Sequence, residues 1–381
     1  MKQTSSIIST YSADVFGVCS ALYELGGLVV MHDASGCNST YSTHDEPRWY
    51  TMDSMVYISA LSEMEAVMGD DNKLIEDITE AAESLKPKFV AICGTPIPAM
   101  IGFDFEAVAK VLEDRLKIPV FGIPTSGMNT YVKGANMALS AFAERIPKEN
   151  VKKTIMPSMN ILGLTPLDFS INGQAESICN FASSLDFDII SKWTMGTSFE
   201  DIEKSGSANI NLVVSSTGLE AAKVLKKRFA TPYVVGTPIE GIYNALLADT
   251  IKKVYTDPDF PDYVCKSNLP GEDIVVIGEA ITSISLASSI ELACGKGVRI
   301  LCPTEIDKYY LRDKDKITPY EDDIRSELTN AKMIIADPLY KAICPDSAKF
   351  IPLPSESFSG RIYRDEIPDL TSDFSYIKKY L

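Results

Sequence analysis

Short apolar runs rich in β-branched residues recur along the chain, and apolar residues at helical spacing separate most of them. Residues 28–31 form such a run, which is too short for a helix and is typical of a buried strand. Residues 70–85 carry apolar positions at helical period instead. This alternation predicts an α/β fold built from doubly wound parallel sheets with right-handed crossovers.

The predicted elements fall into three similar groups. The sequence predicts three Rossmann-like domains in series, over residues 1–148, 149–256 and 257–381, with a cleft between them. Strands are predicted at 28–31, 56–61, 89–93, 120–124, 159–164, 188–192, 210–215, 233–236, 274–277, 298–301, 333–336 and 350–353. Helices are predicted at 70–85, 106–116, 128–144, 173–185 and 219–228, with Asp70 or Asp71 capping the first of them.

Charge and hydropathy exclude two classes of partner. The chain of 381 residues has a net charge of −16 and no basic stripe, which argues against nucleic acid. It has no apolar run long enough to cross a bilayer, and residues 1–11 lack the apolar core of a secretory signal. We therefore expect a cytoplasmic protein with neither nucleic-acid nor membrane partners.

Eight cysteines in such a chain favour buried thiols or metal ligands over disulfides. No pair has the Cys-x-x-Cys spacing, so a cluster would have to draw ligands from distant segments or from two chains. A phosphate-binding loop and a Gly-x-Gly-x-x-Gly motif after the first strand are also absent. Electrons, if the chain uses them, are expected to come from a partner.

One local pattern resembles a known family. His32 is followed by Gly36-Cys37, then by Leu61-x-Glu63, Gly69 and Lys73-Leu74, and later by Ile101-Gly102-Phe103-Asp104. This pattern is similar to component 1 of nitrogenase and its relatives, the dark-operative protochlorophyllide reductase and the nickel-sirohydrochlorin diamide reductive cyclase. The resemblance implies a nitrogenase-like oxidoreductase from an anaerobe, working as a homodimer.

The resemblance also implies a subunit-bridging iron–sulfur cluster held by cysteines of the first domain. Cys37 matches the family position, whereas Cys19 and Cys93 are offset from the expected positions near Ser12 or Ala13 and at Pro96. Two ligands per chain imply a [4Fe–4S] cluster, which we prefer, and three imply an [8Fe–7S]-type cluster. The alternative is that Cys19 packs on a helix face and Cys93 at a strand end.

The positions that resemble the ligands of the nitrogenase active-site cofactor carry different residues here. The cysteine position is Ser215, the histidine position is Pro354, and the only histidines of the chain are His32 and His44. Nitrogenase itself is therefore not expected. His32 is predicted either to tune the cluster or to bond to backbone in its turn.

By resemblance, an ATP-dependent iron–sulfur reductase passes electrons through the cluster to a small organic substrate in the cleft, a tetrapyrrole being one candidate. Loops at Thr125-Ser126, Ser215-Ser216, Gly236-Thr237 and Ser355-Glu356 are predicted to line this cleft. Glu279 or Glu356 is predicted to deliver protons. The alternatives are a non-catalytic scaffold or carrier for a metallocluster or metal tetrapyrrole, and a chelate-binding receptor.

Overall fold

The computed structural model describes residues 5–34, 38, 40, 41, 43–261 and 263–381. Its strands form three parallel sheets, one after another along the chain, and we call each sheet with its helices a unit. No helix among these residues has the length and apolar character needed to span a bilayer.

The first unit is a four-stranded sheet in the order β2-β1-β3-β4. Its elements are α1 (Asp14–Leu22), β1 (Leu28–His32), β2 (Met55–Ile58), α2 (Glu63–Met68), α3 (Asn72–Leu85), β3 (Val90–Gly94), α4 (Pro96–Ile101), α5 (Phe105–Leu116), β4 (Val120–Ile123) and α6 (Tyr131–Arg145). Every residue of β1 and β3 is buried, as expected for central strands covered on both faces.

The second unit has four strands in the order β6-β5-β7-β8, and the third has five in the order β11-β10-β9-β12-β13. The second contains β5 (Ser158–Leu164), α7 (Pro166–Phe169), α8 (Gln174–Ser184), β6 (Asp188–Thr194), α9 (Phe199–Lys204), β7 (Ile210–Val213), α10 (Leu219–Phe229), β8 (Tyr233–Val235) and α11 (Ile242–Thr256). The third contains β9 (Ile274–Ile277), α12 (Ala280–Cys294), β10 (Val298–Cys302), β11 (Lys316–Ile317), α13 (Glu321–Glu327), β12 (Met333–Ala336), β13 (Lys349–Pro352), α14 (Glu356–Ser359) and α15 (Ser375–Lys378).

The predicted three-sheet α/β fold is therefore confirmed. The domain boundaries stay a prediction, and Val264, beyond the boundary at 257, makes a parallel bridge to Val235 of β8. The predicted cap of the helix at 70–85 is partly wrong. Asp71 occupies the N-cap position of α3 without a side-chain bond, whereas Asp70 Oδ1 accepts from the Asn72 amide at 3.1 Å.

Two glycines let α1 and α6 pack backbone against backbone. A Cβ at Gly134 would lie 1.8 Å from the Asp14 carbonyl oxygen, and one at Gly17 would lie 2.1 Å from the Tyr131 carbonyl oxygen. Such distances exclude any side chain, so glycine is required on both helices. The contact fixes the start of α6, from which Tyr131 reaches toward the second unit.

The segment of residues 5–13 crosses from the first unit to the third. The amides of Ser6 and Ile7 donate to Glu321 Oε2 at 2.5 and 3.0 Å. Farther along, the Tyr340 hydroxyl donates to the Ser9 carbonyl. We call residues 5–13 the N-terminal strap, because they bind the third unit to the first.

Candidate functional site

The site lies where the carboxyl ends of strands in the second and third units face each other. In the second sheet β5 and β7 are neighbours at the point where the strand order reverses, and β9 and β12 hold the same place in the third. Ligands of open α/β sheets bind at such reversal points. The loops after these four strands supply Asp168, Ser215, Glu279 and Asp337.

A cavity of about 80 Å³ opens between these loops. We call it the junction cavity. Its polar lining includes Asp168, Thr237, Glu279, Asp337 and Ser355, and Ile239, Leu286 and Phe358 are among its apolar residues. A space of this size accommodates a few water molecules or one small functional group. Thr237 and Ser355 of the predicted lining loops lie in it, whereas Thr125 and Ser126 do not. The cavity lies between the second and third units, and a cleft between all three stays a prediction.

Asp168 is the most perturbed acid of the junction cavity. Its Oδ2 accepts from the Thr165 and Ser215 hydroxyls at 2.8 and 2.5 Å, and its Oδ1 accepts from the Tyr131 hydroxyl. Burial and the negative charge of Glu279 nevertheless raise the pKa of Asp168 to about 7. A carboxyl group that titrates near neutrality can hold or release a proton at physiological pH.

Glu279 forms the N-cap of α12. Its Oε1 accepts from the Ser216 and Ile281 amides, both at 3.0 Å, and its Oε2 accepts from the Thr282 amide at 2.9 Å. The Ser216 hydroxyl also donates to Oε1. Because the helix dipole and these donors stabilise a negative charge, Glu279 is placed to act on Asp168 electrostatically.

Tyr131 connects Asp168 to the third unit. It is fully buried, and burial holds its pKa well above the usual tyrosine range. Its hydroxyl also interacts with Ser357, whose own hydroxyl lies 2.9 Å from that of Ser355. Hydroxyl groups of Ser355, Ser357 and Tyr131 therefore lead in sequence to the Asp168 carboxyl.

The other predicted proton carrier, Glu356, has a different role. Arg364 binds it with two parallel contacts of 2.5 and 3.0 Å, and Ser170 donates to it at 3.2 Å. The pair with the guanidinium lies within the third unit, and the Ser170 contact joins Glu356 to the second unit. Its engaged oxygens argue against proton delivery by Glu356.

The two cofactor-ligand positions both lie at the site. Ser215 donates to Asp168, and Pro354 lines the junction cavity. Neither the bonded hydroxyl of Ser215 nor the ring of Pro354 can ligate a metal as the thiolate and imidazole of the nitrogenase pattern do. The described residues contain no group of three or more His, Cys, Asp or Glu side chains that could hold a metal ion.

The three predicted cluster cysteines have different outcomes. Cys37 lies outside the described residues. Cys19 on α1 and Cys93 on β3 are 1% and 0% exposed in one apolar core. A hydrogen bond with the Cys19 thiol, together with burial, holds the pKa of the Cys93 thiol well above its usual range.

Neither thiol reaches the surface of the chain, where a cluster shared with a second chain would lie. The burial of both thiols and the raised pKa of the Cys93 thiol favour the packing alternative, because a thiol that resists deprotonation is a poor metal ligand. Ligation by Cys19 or Cys93 stays a prediction.

His32 bonds to a side chain and not to the backbone group predicted for its turn. Its Nδ1 lies 2.9 Å from the Ser59 hydroxyl, and its ring is 4.4 Å from that of Phe103. Burial lowers the pKa of His32 to about 4, so the imidazole is neutral at physiological pH.

The sequence interpretation missed Asp168. Asp168 lies four residues after the strand predicted at 159–164, and no helix was predicted there. The signal was present, because a hydroxyl residue, a proline and an acid three positions after the hydroxyl are typical of the first turn of a helix after a strand. Here that helix is α7, and the Thr165 side chain bonds to Asp168.

Comparisons with curated proteins find several relatives. The chain is 25% identical over 256 residues to the nitrogenase iron-molybdenum cofactor biosynthesis protein NifE of Clostridium pasteurianum, covering 64% of this chain and 55% of the relative. It is also 25% identical over 256 residues to one of the subunits of the light-independent protochlorophyllide reductase of Porphyra purpurea, covering 60% of this chain and 50% of that relative. The chain thus spans about half the length of these relatives.

A solved structure of nitrogenase Cp1 at pH 6.5 has the same fold. It superposes with a TM-score of 0.69 over 100% of this chain and 93% of that chain, at 16% identity. The family model described as nitrogenase component 1 type oxidoreductase matches residues 15–268, more than half of the chain. By this match and by its three parallel sheets, the chain belongs to the nitrogenase component 1 type oxidoreductase family.

Proposed function

We propose that this chain is the substrate-binding component of a nitrogenase-like reductase that acts on an organic molecule. The observation that carries the proposal is the junction cavity itself. Its lining includes a carboxyl group with a pKa near neutrality, and hydroxyl and proline side chains stand at the two cofactor-ligand positions. Such a lining suits proton-coupled reduction of an organic group better than the binding of a metal cofactor.

The cavity volume limits how the substrate binds. Pockets that enclose a drug-sized molecule measure about 300–1,000 Å³, whereas the junction cavity measures about 80 Å³. A small organic group enters it without rearrangement. A whole tetrapyrrole requires the second and third units to separate.

The proposed partners are an ATP-dependent iron–sulfur reductase and a second copy of the chain. Exposed apolar side chains support self-association: Met64, Val67 and Met68 on α2 and Met100 on α4 are 71%, 76%, 71% and 85% exposed. These two helices follow β2 and β3 and contact each other, and exposed apolar side chains on neighbouring helices are typical of protein contacts. We propose that the second copy covers it.

Turnover tests the reductase function. The protein, purified without oxygen, is mixed with its iron–sulfur reductase partner, ATP and a reductant, with protochlorophyllide or nickel-sirohydrochlorin diamide as the probe. We expect ATP-dependent loss of the probe's absorption spectrum, and no loss when this chain is omitted. The scaffold alternative draws support from the likeness to NifE, a cofactor biosynthesis protein by name. It prevails if the probes stay unreduced while an intact metallocluster passes from this chain to an acceptor protein.

The cluster proposal makes a prediction about iron content. We propose a [4Fe–4S] cluster bridging two copies, with Cys37 and one further residue of each chain as its four ligands. Wild-type protein is then expected to contain about four irons per dimer, and Cys37→Ser is expected to remove most of them. Because Cys19 and Cys93 are buried in the core, Cys19→Ala and Cys93→Ala are expected to retain iron at the wild-type level.

Iron analysis and light scattering on the same anaerobic preparations check this expectation. An iron-free wild-type protein or a monomer contradicts the bridging cluster. If Cys93→Ala or Cys19→Ala alone empties the protein of iron while leaving it folded, that cysteine is a ligand. About eight irons per dimer favour the [8Fe–7S]-type form.

A further inference from the structure

We propose that Asp168 is the catalytic acid of the junction cavity, holding a proton and delivering it to a substrate atom that is reduced there. This inference rests on the proposed function and adds the residue that supplies the proton. It differs from the sequence expectation, which assigned this role to Glu279 or Glu356.

Position supports Asp168 over the other acids nearby. It lines the junction cavity and bonds to three hydroxyl groups, from Thr165, Ser215 and Tyr131. These bonds occupy three of about four lone-pair directions of a carboxylate and leave one for a ligand. The other acids bind donors of a different kind: backbone amides bind Glu279, Arg364 binds Glu356, and the Leu339 and Ser355 amides bind Asp337.

Electrostatics support the same assignment. Burial disfavours a carboxylate at this position, and the charge of Glu279 adds to that effect, whereas the hydroxyl donors partly oppose it. Both carboxyl groups line the same cavity, so a second negative charge there is disfavoured. Both effects favour the protonated form of Asp168.

Proton delivery is coupled to the supply of an electron. The iron–sulfur reductase supplies an electron to the substrate, and the reduced atom becomes more basic. The O–H bond of Asp168 breaks, a C–H or N–H bond forms on the substrate, and Asp168 remains as a carboxylate. A proton from solvent restores it through the hydroxyl groups of Ser355, Ser357 and Tyr131, and Ser355 is partly exposed at the outer end of this chain.

Infrared titration of the full-length protein tests the proton site without a ligand. The carbonyl band of a protonated carboxyl is followed from pH 5 to 9. The groups that face Asp168 or share its cavity are Tyr131 from α6, Glu279 from α12, and Asp337 and Glu356 from the third unit. We expect one band to disappear with a midpoint at about pH 7, and Asp168→Asn to remove it.

Two further variants move the midpoint in opposite directions. Glu279→Gln removes the neighbouring charge and is expected to lower the midpoint, and Tyr131→Phe removes a hydrogen bond to the carboxylate and is expected to raise it. These shifts test the site even if Asp168→Asn fails to fold. Asp337→Asn, which changes another buried acid of the same cavity, is the matched control and is expected to leave this band in place. If no titrating band responds to Asp168→Asn, Glu279→Gln or Tyr131→Phe, the proposal is wrong.

Turnover with the two probes above tests delivery. Asp168→Asn is expected to lower kcat by about 10²–10⁴-fold with little change in KM, and Asp168→Glu to restore part of the rate. Asp186→Asn, at an exposed position of the same unit, is the control. An unchanged kcat and pH profile in Asp168→Asn overturn delivery while leaving the reductase function intact. Failure of wild-type protein to reduce either probe overturns the proposed function and the delivery step with it, but the titration still decides where the proton resides.

Discussion

Replacing Arg48 by methionine is expected to lower the free energy of unfolding by about 3–5 kcal/mol. The Arg48 side chain is only 4% exposed and lies 2.6 Å from Glu46 and 2.9 Å from Glu24, which are 0% and 7% exposed. It also donates to the Ser20 carbonyl at 2.7 Å. Methionine fills much of the volume but leaves two buried carboxylates without their cation.

Chemical denaturation of Arg48→Met, with Glu46 intact or replaced, measures this effect. The double variant Arg48→Met/Glu46→Leu is expected to be less destabilised than the sum of its single variants, because it removes the uncompensated charge as well. Lys73→Ala is the control, since this exposed lysine pairs with Asp77 at 3.0 Å on the surface and such pairs contribute about 0–1 kcal/mol. Equal losses in Arg48→Met and Lys73→Ala would contradict the buried-network account.

The same variant has a functional consequence. Arg48 holds the end of the segment that follows Cys37 against α1, through Ser20 and Glu24. If Cys37 ligates the cluster, loosening this segment is expected to reduce iron content before the chain unfolds globally. Iron content measured at increasing denaturant concentration separates the two transitions.

Replacing Gly134 by leucine is expected to destabilise the protein by at least about 3 kcal/mol, the upper range for overpacking. The added carbons would overlap the Asp14 carbonyl, which is backbone and cannot rotate away. Separation of α1 from α6 would also displace Tyr131 at the first residue of α6. We therefore expect lower stability and, in protein that still folds, a titration of Asp168 shifted as in Tyr131→Phe.

Gly102→Ala provides the comparison. Gly102 has a φ of +75°, and nothing lies within 4 Å of an added Cβ. The cost there is only backbone strain, about 1 kcal/mol. Thermal unfolding of the two variants distinguishes backbone strain from atomic overlap. A loss of stability in Gly134→Leu no larger than that in Gly102→Ala would contradict the close helix contact.

The sequence was most informative where hydrophobic pattern alone determines structure. Residues 274–277 and 333–336 were predicted as strands and form β9 and β12 with the same bounds. Both are buried apolar runs between polar turns, and this pattern can be read from the sequence of the strand alone. The short β11 and α4 were missed, because two paired residues or one proline-led turn give little periodic signal.

The site was harder to predict, because it forms from three units. Ser215, Glu279 and Ser355 were recognisable as residues after strands, and the structure does bring their loops together around the junction cavity. The raised pKa of Asp168 depends on a charge about a hundred residues away in sequence, which no local pattern contains. Cys19 and Cys93 show the converse case, since their depth in the core follows from how α1 packs on the sheet.

The N-terminal strap links the position of the third unit to that of the first. Its bonds to Glu321 and Tyr340 close a loop that runs through all three units. A guest molecule large enough to push the third unit away from the first must therefore break these bonds. Binding of a large molecule is thereby mechanically coupled to release of the N-terminal strap.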